Sequence, residues 1–157
     1  MELQKATLGT GCFWCTEAAL KLLPGVVSVV PGYAGGIVEA VQIEYDPSKT
    51  SYGDLLKIFW EIHDPMQENG QGSDKGPEYQ AVIFFHTLEQ QKLAEETKRQ
   101  VEEKLGKQVA TKIHPFVDFR EAEDYHKDYY AKNPDNPYSK AVIAPKVEKA
   151  KKIIGKL

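Results

Sequence analysis

The chain has only two thiols, Cys12 and Cys15, and both fall in the stretch Gly11-Cys12-Phe13-Trp14-Cys15, where a helix is expected to begin. A thiol in the first turn of a helix faces unpaired backbone N–H groups and the positive end of the dipole, which both favour thiolate over thiol. The Gly9-Thr10-Gly11 segment reads as a tight turn that lets backbone approach Cys12. Cys15 lies one turn further on, within reach of Cys12 if the helix start opens. A zinc site needs four ligands, usually two CxxC pairs or one pair with two spaced histidines. Here His63, His86, His114 and His126 are scattered, with no HxxxH pattern. Two small buried hydrophobes are the structural alternative. The flanking Phe13-Trp14 pair favours a reactive thiol beside an apolar, concave wall.

Glu39 adds a second group. It shares strand parity with Val41, Ile43 and Tyr45, so its carboxyl is expected on the apolar face. A carboxyl there loses hydration, its pKa rises, and it can serve as a proton donor near neutral pH. At the mouth of the strand it could instead turn to solvent. A thiolate opposite a neutral carboxylic acid, between aromatic walls, suits reduction of a polar S=O or O–O group.

Elements must bring these residues together. Lys5 to Gly9 reads as a short strand, Phe13 to Leu23 as a helix stopped by Pro24-Gly25, and Val26 to Val30 as a strand ended by Pro31-Gly32. Glu39 to Tyr45 alternates as a strand. Ser51 with Asp54 resembles a capping box before the stripe Leu55, Ile58, Phe59 and Ile62. Residues 69 to 76 form a Gly-rich polar loop, and Tyr79 to Phe85 a strongly apolar strand. Thr87 with Gln90 starts a helix that carries Leu93, Thr97, Val101 and Leu105 on one face and is capped by Gly106. Lys112 to Phe116 is a last short strand. Pro134 and Pro137 mark an irregular C-terminal segment, followed by a final helix. This order predicts an α+β, two-layer sandwich of a mixed β-sheet with helices and a ferredoxin-like split βαβ core.

At 157 residues the chain fits one domain, residues 1–157, and neither a repeat nor a linker divides it. A net charge of -3 argues against a general nucleic-acid binder. The lysines between Lys146 and Lys156 alternate with apolar residues and read as a solvated helix face. The first residues lack a secretory leader's apolar run, and no stretch is long and apolar enough to span a bilayer. A cytoplasmic monomer is the expectation.

Six blocks in this order make the sequence resemble the A-type peptide methionine sulfoxide reductases. They are GCFW from Gly11, GYAGG from Gly32, EAVQIEYDP from Glu39, FWEIHDP from Phe59, QGSDKGPEYQAVIFF from Gln71 and AEDYHKDYYAKNP from Ala122. The resemblance implies Cys12 as the nucleophile on the sulfoxide sulfur and Glu39 as the proton donor to its oxygen. Phe13 and Trp14 would hold the S-methyl group, and Asp74 and Tyr79 would bind or orient the sulfoxide and a water. By themselves, Asp74 would be a turn residue and Tyr79 an edge-strand residue. Tyr125 and His126 match the last block as well, but Ala122 to Tyr130 reads mainly as packing near the site. The family reduces the S epimer in free or protein-bound methionine sulfoxide, passes through a cysteine sulfenic acid, and is recycled by a thioredoxin-like reductant. It uses no cofactor or metal.

Two departures stand out. Relatives usually carry a loop of roughly fifteen residues between the GYAGG block and the glutamate strand, a kind of change that loops tolerate. Here Gly36-Ile37-Val38-Glu39 joins them directly, so a tyrosine that relatives use on the sulfoxide has no counterpart, and Gly35-Gly36 must turn tightly for Glu39 to reach Cys12. Many relatives also have a C-terminal cysteine after an NPY segment. Here Asn136-Pro137-Tyr138 precedes Ser139, which leaves Cys15 as the intramolecular resolving thiol; an external thiol is the alternative. Two other functions fit parts of the pattern. A thioredoxin-like CxxC disulfide oxidoreductase would give Glu39 no role, and a module that binds methionine-rich or oxidised peptides would survive loss of Cys12.

Overall fold

The computed structural model describes residues 2–157. Strand β1 (Gln4–Thr10) leads through Gly11 into helix α1 (Phe13–Leu20), and β2 (Val26–Ala34) and β3 (Val38–Tyr45) follow as a hairpin. Helix α2 (Tyr52–Glu61) comes next, then the small strands β4 (Gly70–Gln71) and β5 (Asp74–Lys75). Strand β6 (Ala81–Phe85), helix α3 (Leu88–Leu105) and strand β7 (Lys112–Pro115) complete the middle of the chain. The C-terminal part holds β8 (Phe119–Glu121), the one-turn helix α4 (Tyr129–Lys132) and helix α5 (Ala144–Ile154).

The main sheet has the order β7-β6-β1-β3-β2-β8. Since β3 runs antiparallel to both β1 and β2, β1 and β2 are parallel, with β3 inserted between them and α1 as the crossover. This is the split βαβ unit expected from sequence. The β6-α3-β7 segment adds an adjacent parallel pair. Alternate residues of β1 and β3 (Ala6, Leu8, Val41, Ile43, Tyr45) pack with Leu20 of α1, the α2 stripe Leu55, Ile58 and Phe59, Ala94 of α3 and Ala150 of α5. On the other face, Ala34, Val38, Ala40, Val82 and Phe84 gather under Phe116 and Phe119. Helix α5 buries Val147 and Ala150 while Lys149, Lys151 and Lys152 stay exposed, the solvated face its alternation predicts.

Three expectations need correction. Strand β2 does not stop at Pro31-Gly32 but continues to Ala34. The Pro31 carbonyl accepts from Ala122 N–H at 2.9 Å, on the β8 side. The nitrogen without a proton therefore also faces that side and leaves the ladder with β3 intact. Tyr79 is not in a strand: Gly76 and Pro77 start a 3₁₀ turn, Pro77–Tyr79, and β6 begins only at Ala81. The strand after α3 is not the last, since β8 follows it and pairs with β2.

The β2–β3 junction closes in three residues, Gly35 to Ile37, between the paired Ala34 and Val38. Gly35 and Gly36 adopt φ of +57° and +98°, values that a residue with a Cβ reaches only with strain. The tight turn therefore forms, and it aligns Glu39 opposite Tyr33.

Helix α3 starts with a side-chain cap at Thr87. The Thr87 hydroxyl accepts from Gln90 N–H at 3.1 Å, and the Gln90 side-chain carbonyl accepts from His86 N–H at 2.8 Å. Thr87→Ala is expected to lower stability by about 1 kcal/mol, read as a lower urea midpoint with an unchanged slope. An unchanged midpoint would show that the cap contributes nothing.

Candidate active site

Cys12 is the N-cap of α1, with extended backbone (φ -68°, ψ 124°), and Phe13 to Cys15 form the first helical turn. Gly11 gives the chain its turn from β1 with φ +102°, and a Cβ there would lie 2.7 Å from the Gln71 side chain. Gln71 is itself fixed: its amide accepts from Asp64 N–H at 2.6 Å and donates to Asp64 C=O at 2.8 Å. The turn before Cys12 is thus clamped from outside by the loop that carries Asp74.

The open end of α1 meets β3. Glu39 Oε1 accepts from Phe13 N–H at 3.2 Å, so the carboxyl occupies one of the orphan donors at the helix start. Burial is the main reason its pKa rises from the ordinary 4.5 to about 7; the Asp74 and Glu78 charges add to this, and the Phe13 N–H opposes it. The parity argument holds, because Val41, Ile43 and Tyr45 on the same side of β3 are buried.

Both thiols are free and buried, and each shifts the ionisation of the other. The expectation for Cys12 needs a correction. Its thiol is raised, first by the hydrogen bond with Cys15 and then by burial and the Cys15 charge. The Trp14 N–H and the Tyr138 hydroxyl pull it down, as a helix start should, but they are outweighed. Cys15 is lowered, chiefly because Cys12 donates to it, with Lys146 and Tyr138 adding to the effect. The pair holds one negative charge readily and a second only at high cost.

Aromatic residues close the site. Phe13 is 1% exposed, and its ring lies 5.6 Å from Tyr33 and 4.9 Å from His126. It is thus a buried floor rather than an open wall. Trp14 is partly exposed, stacks flat on Tyr129 at 3.7 Å and meets Tyr138 edge-on at 5.7 Å. The Trp14 indole N–H donates to His126 Nδ1 at 3.0 Å. The Glu17 carboxylate supports this arrangement, accepting twice from Asp128 N–H at 3.0 and 3.1 Å and so fixing the chain between His126 and Tyr129. His126 therefore does pack near the site as expected.

Asp74 lies in β5 and accepts from the Tyr138 hydroxyl at 2.6 Å. The Tyr79 hydroxyl is raised by burial and by the nearby charges of Glu39, Asp74 and Cys12, the groups it faces. The seven residues singled out in the sequence therefore gather around the start of α1. Sequence reasoning missed Tyr33 and Tyr138, while Tyr129 falls in the segment read as packing near the site. Only the NPY block hinted at Tyr138, and it drew notice there for the residue after it. Among the described residues, no group of three or more His, Cys, Asp or Glu side chains could hold a metal ion, and no helix is long and apolar enough to cross a membrane.

A family model described as peptide methionine sulfoxide reductase matches residues 4–38 and 36–156. Its two segments meet at the short β2–β3 junction. The peptide methionine sulfoxide reductase MsrA of a Thermus thermophilus strain is 49% identical over 168 aligned positions, covering 97% of this chain and 96% of the relative. That of Sulfolobus acidocaldarius is 51% identical, covering 94% and 93%. Among solved structures, Mxr1 of Saccharomyces cerevisiae in reduced form superposes with a TM-score of 0.80 at 31% identity, over 86% of this chain and 88% of that one. Mxr1 in complex with Trx2 superposes at 0.63 with 28% identity, over 82% and 85%.

Folded Glu39 keeps its proton up to about pH 7, whereas an unfolded glutamate loses it near 4.5. Between those values the native state binds more protons, so this residue's contribution to stability is full below the lower value and is lost as pH rises through the upper one. The wild-type urea midpoint is expected to fall more between about pH 5 and 8 than that of Glu39→Gln. Equal slopes would contradict a buried proton on Glu39.

Proposed function

Because the chain belongs to the peptide methionine sulfoxide reductase family, and so reduces methionine sulfoxide, we propose that it acts on the S epimer, free or in proteins, through a sulfenic acid on Cys12. The observation that carries this reading is the Phe13 N–H bond to Glu39 at 3.2 Å, which sets a largely neutral acid beside the Cys12 thiol at one helix start.

The chemistry balances with these groups alone. The pair's negative charge shifts to Cys12 as its proton passes to Cys15. The Cys12 sulfur attacks the sulfoxide sulfur while Glu39 donates its proton to the oxygen, turning a poor leaving group into a hydroxyl. The hydroxyl then moves to the Cys12 sulfur, and methionine is released. Substrate sulfur is reduced by two electrons and Cys12 is oxidised to sulfenic acid. Phe13 and Trp14 supply apolar surface for the S-methyl group. Tyr79 donates to the sulfoxide oxygen, and Asp74 orients a water beside it.

Cys15 is the proposed resolving thiol. Its sulfur attacks the Cys12 sulfenic acid, water leaves, and a Cys12–Cys15 disulfide forms. Cys15 N–H bonds to Cys12 C=O at 3.2 Å in the first helical turn, a turn that must loosen as the disulfide forms. An external dithiol then reduces the disulfide. A thioredoxin-like protein suits this step, and the fold is shared with Mxr1, which has been solved in complex with Trx2.

The reading is tested with a methionine sulfoxide peptide and dithiothreitol. Cys12→Ser should abolish turnover, and Glu39→Gln should lower the single-turnover rate by roughly a hundredfold. Cys15→Ser should still release one methionine per chain but cycle slowly with thioredoxin. Turnover that survives Cys12→Ser would sink the reading. Unimpaired thioredoxin cycling by Cys15→Ser would remove Cys15 from the cycle.

A further inference from the structure

Tyr138 brings a polar group to the reacting sulfur that the reaction described above leaves unused. Its hydroxyl donates to Asp74 Oδ2 at 2.6 Å, and the residue packs against the buried cluster that contains the Cys12 thiol. Its ring packs edge-on against Trp14 at 5.7 Å and joins the cluster formed by Cys12, Cys15, Ile143 and Val147. The position is fixed locally. Asn136 accepts from Ser139 N–H at 2.8 Å and donates to the Tyr129 hydroxyl at 2.7 Å, so the turn carrying Tyr138 is tied to the residue stacked on Trp14.

Other phenols do not serve this spot. The three-residue β2–β3 hairpin contains no tyrosine, and the Tyr33 hydroxyl at its base donates to Glu123 at 3.4 Å. Tyr79 reaches the site from the 3₁₀ turn, on the side of Glu39 and Asp74. Tyr138 reaches it from the C-terminal segment, on the side of Trp14 and Cys15.

Resting on the sulfoxide reductase reading, we propose that Tyr138 is a catalytic residue whose phenol, parked on Asp74 in the free protein, donates to the sulfoxide oxygen when substrate binds. A rotation about the phenol C–O bond moves the proton from Asp74 to the new acceptor, and the Asp74 carboxylate is left to water. The phenol keeps its proton throughout, while Glu39 supplies the one that is transferred. As the S–O bond polarises, negative charge builds on the oxygen and the hydrogen bond strengthens, so it assists the chemical step as well as binding.

Tyr138→Phe removes the hydroxyl and keeps the ring against Trp14. With N-acetyl-methionine-S-sulfoxide and dithiothreitol, its kcat/KM should fall roughly tenfold, through both a lower kcat and a higher KM. Thermal stability should stay near that of wild type. In a Cys12→Ser background, Tyr138→Phe should also weaken binding of the same sulfoxide, followed by tryptophan fluorescence. An unchanged kcat/KM would mean that Tyr138 is packing alone, and an increase would mean that it plugs the site; either result overturns the proposal. If the variant does not fold, 3-fluorotyrosine at position 138 provides a more acidic donor. The single-turnover rate must then differ from wild type, and an identical rate overturns the proposal. A wild-type chain without turnover overturns the reductase reading itself, whereas an active wild type matched by Tyr138→Phe overturns only the role of Tyr138.

Discussion

One hydrogen bond, from Phe13 N–H to the Glu39 carboxyl, joins the two halves of the site. Its donor is an orphan amide at the start of α1, and its acceptor lies on a strand that the chain reaches only after the crossover and the β2–β3 hairpin. Everything between Cys12 and Glu39 serves that meeting. The split βαβ arrangement sets β3 between β1 and β2, so the end of β1 and the start of β3 lie at the same edge of the fold. The hairpin closes in three residues and delivers Glu39 at the right register. A longer loop is not required to make this contact.

The charges follow from that geometry. Glu39 loses water to the apolar face of β3, and a single backbone donor does not fully compensate, so its proton stays on near neutrality. The thiols face the opposite problem. Buried together, they share one negative charge, and the helix start, Tyr138 and Lys146 make that first ionisation accessible. A neutral acid and a singly charged thiol pair can stand side by side where two anions could not. The C-terminal segment then seals the arrangement, with Tyr129 stacked on Trp14 and Tyr138 tied to Asp74.

Much of this was legible in the residues themselves. Strand parity placed Glu39 on the apolar face, Thr87 with Gln90 marked the start of α3, and the spacing of α2 gave its buried stripe. The pattern of strands and helices yielded the split core. Long-range partners were not legible. The spacing of Cys12 and Cys15 does not show that Cys15 and burial together would reverse the expected shift of the Cys12 thiol. Nothing local to Tyr138 shows that its hydroxyl would meet Asp74, 64 residues away in sequence. Pro31 misled for a related reason: its missing donor matters only if the ladder needs it, and that depends on which side β8 binds.

The proposed reaction depends on Glu39 giving up a proton beside Cys12. Single-turnover methionine release measured against pH tests this most directly. The wild-type rate should lose a proton-dependent component as pH rises through about 7, the value at which Glu39 ionises, and Glu39→Gln should be slow and lack that limb. A limb of the same position in Glu39→Gln, or a wild-type rate with no such limb, would contradict it.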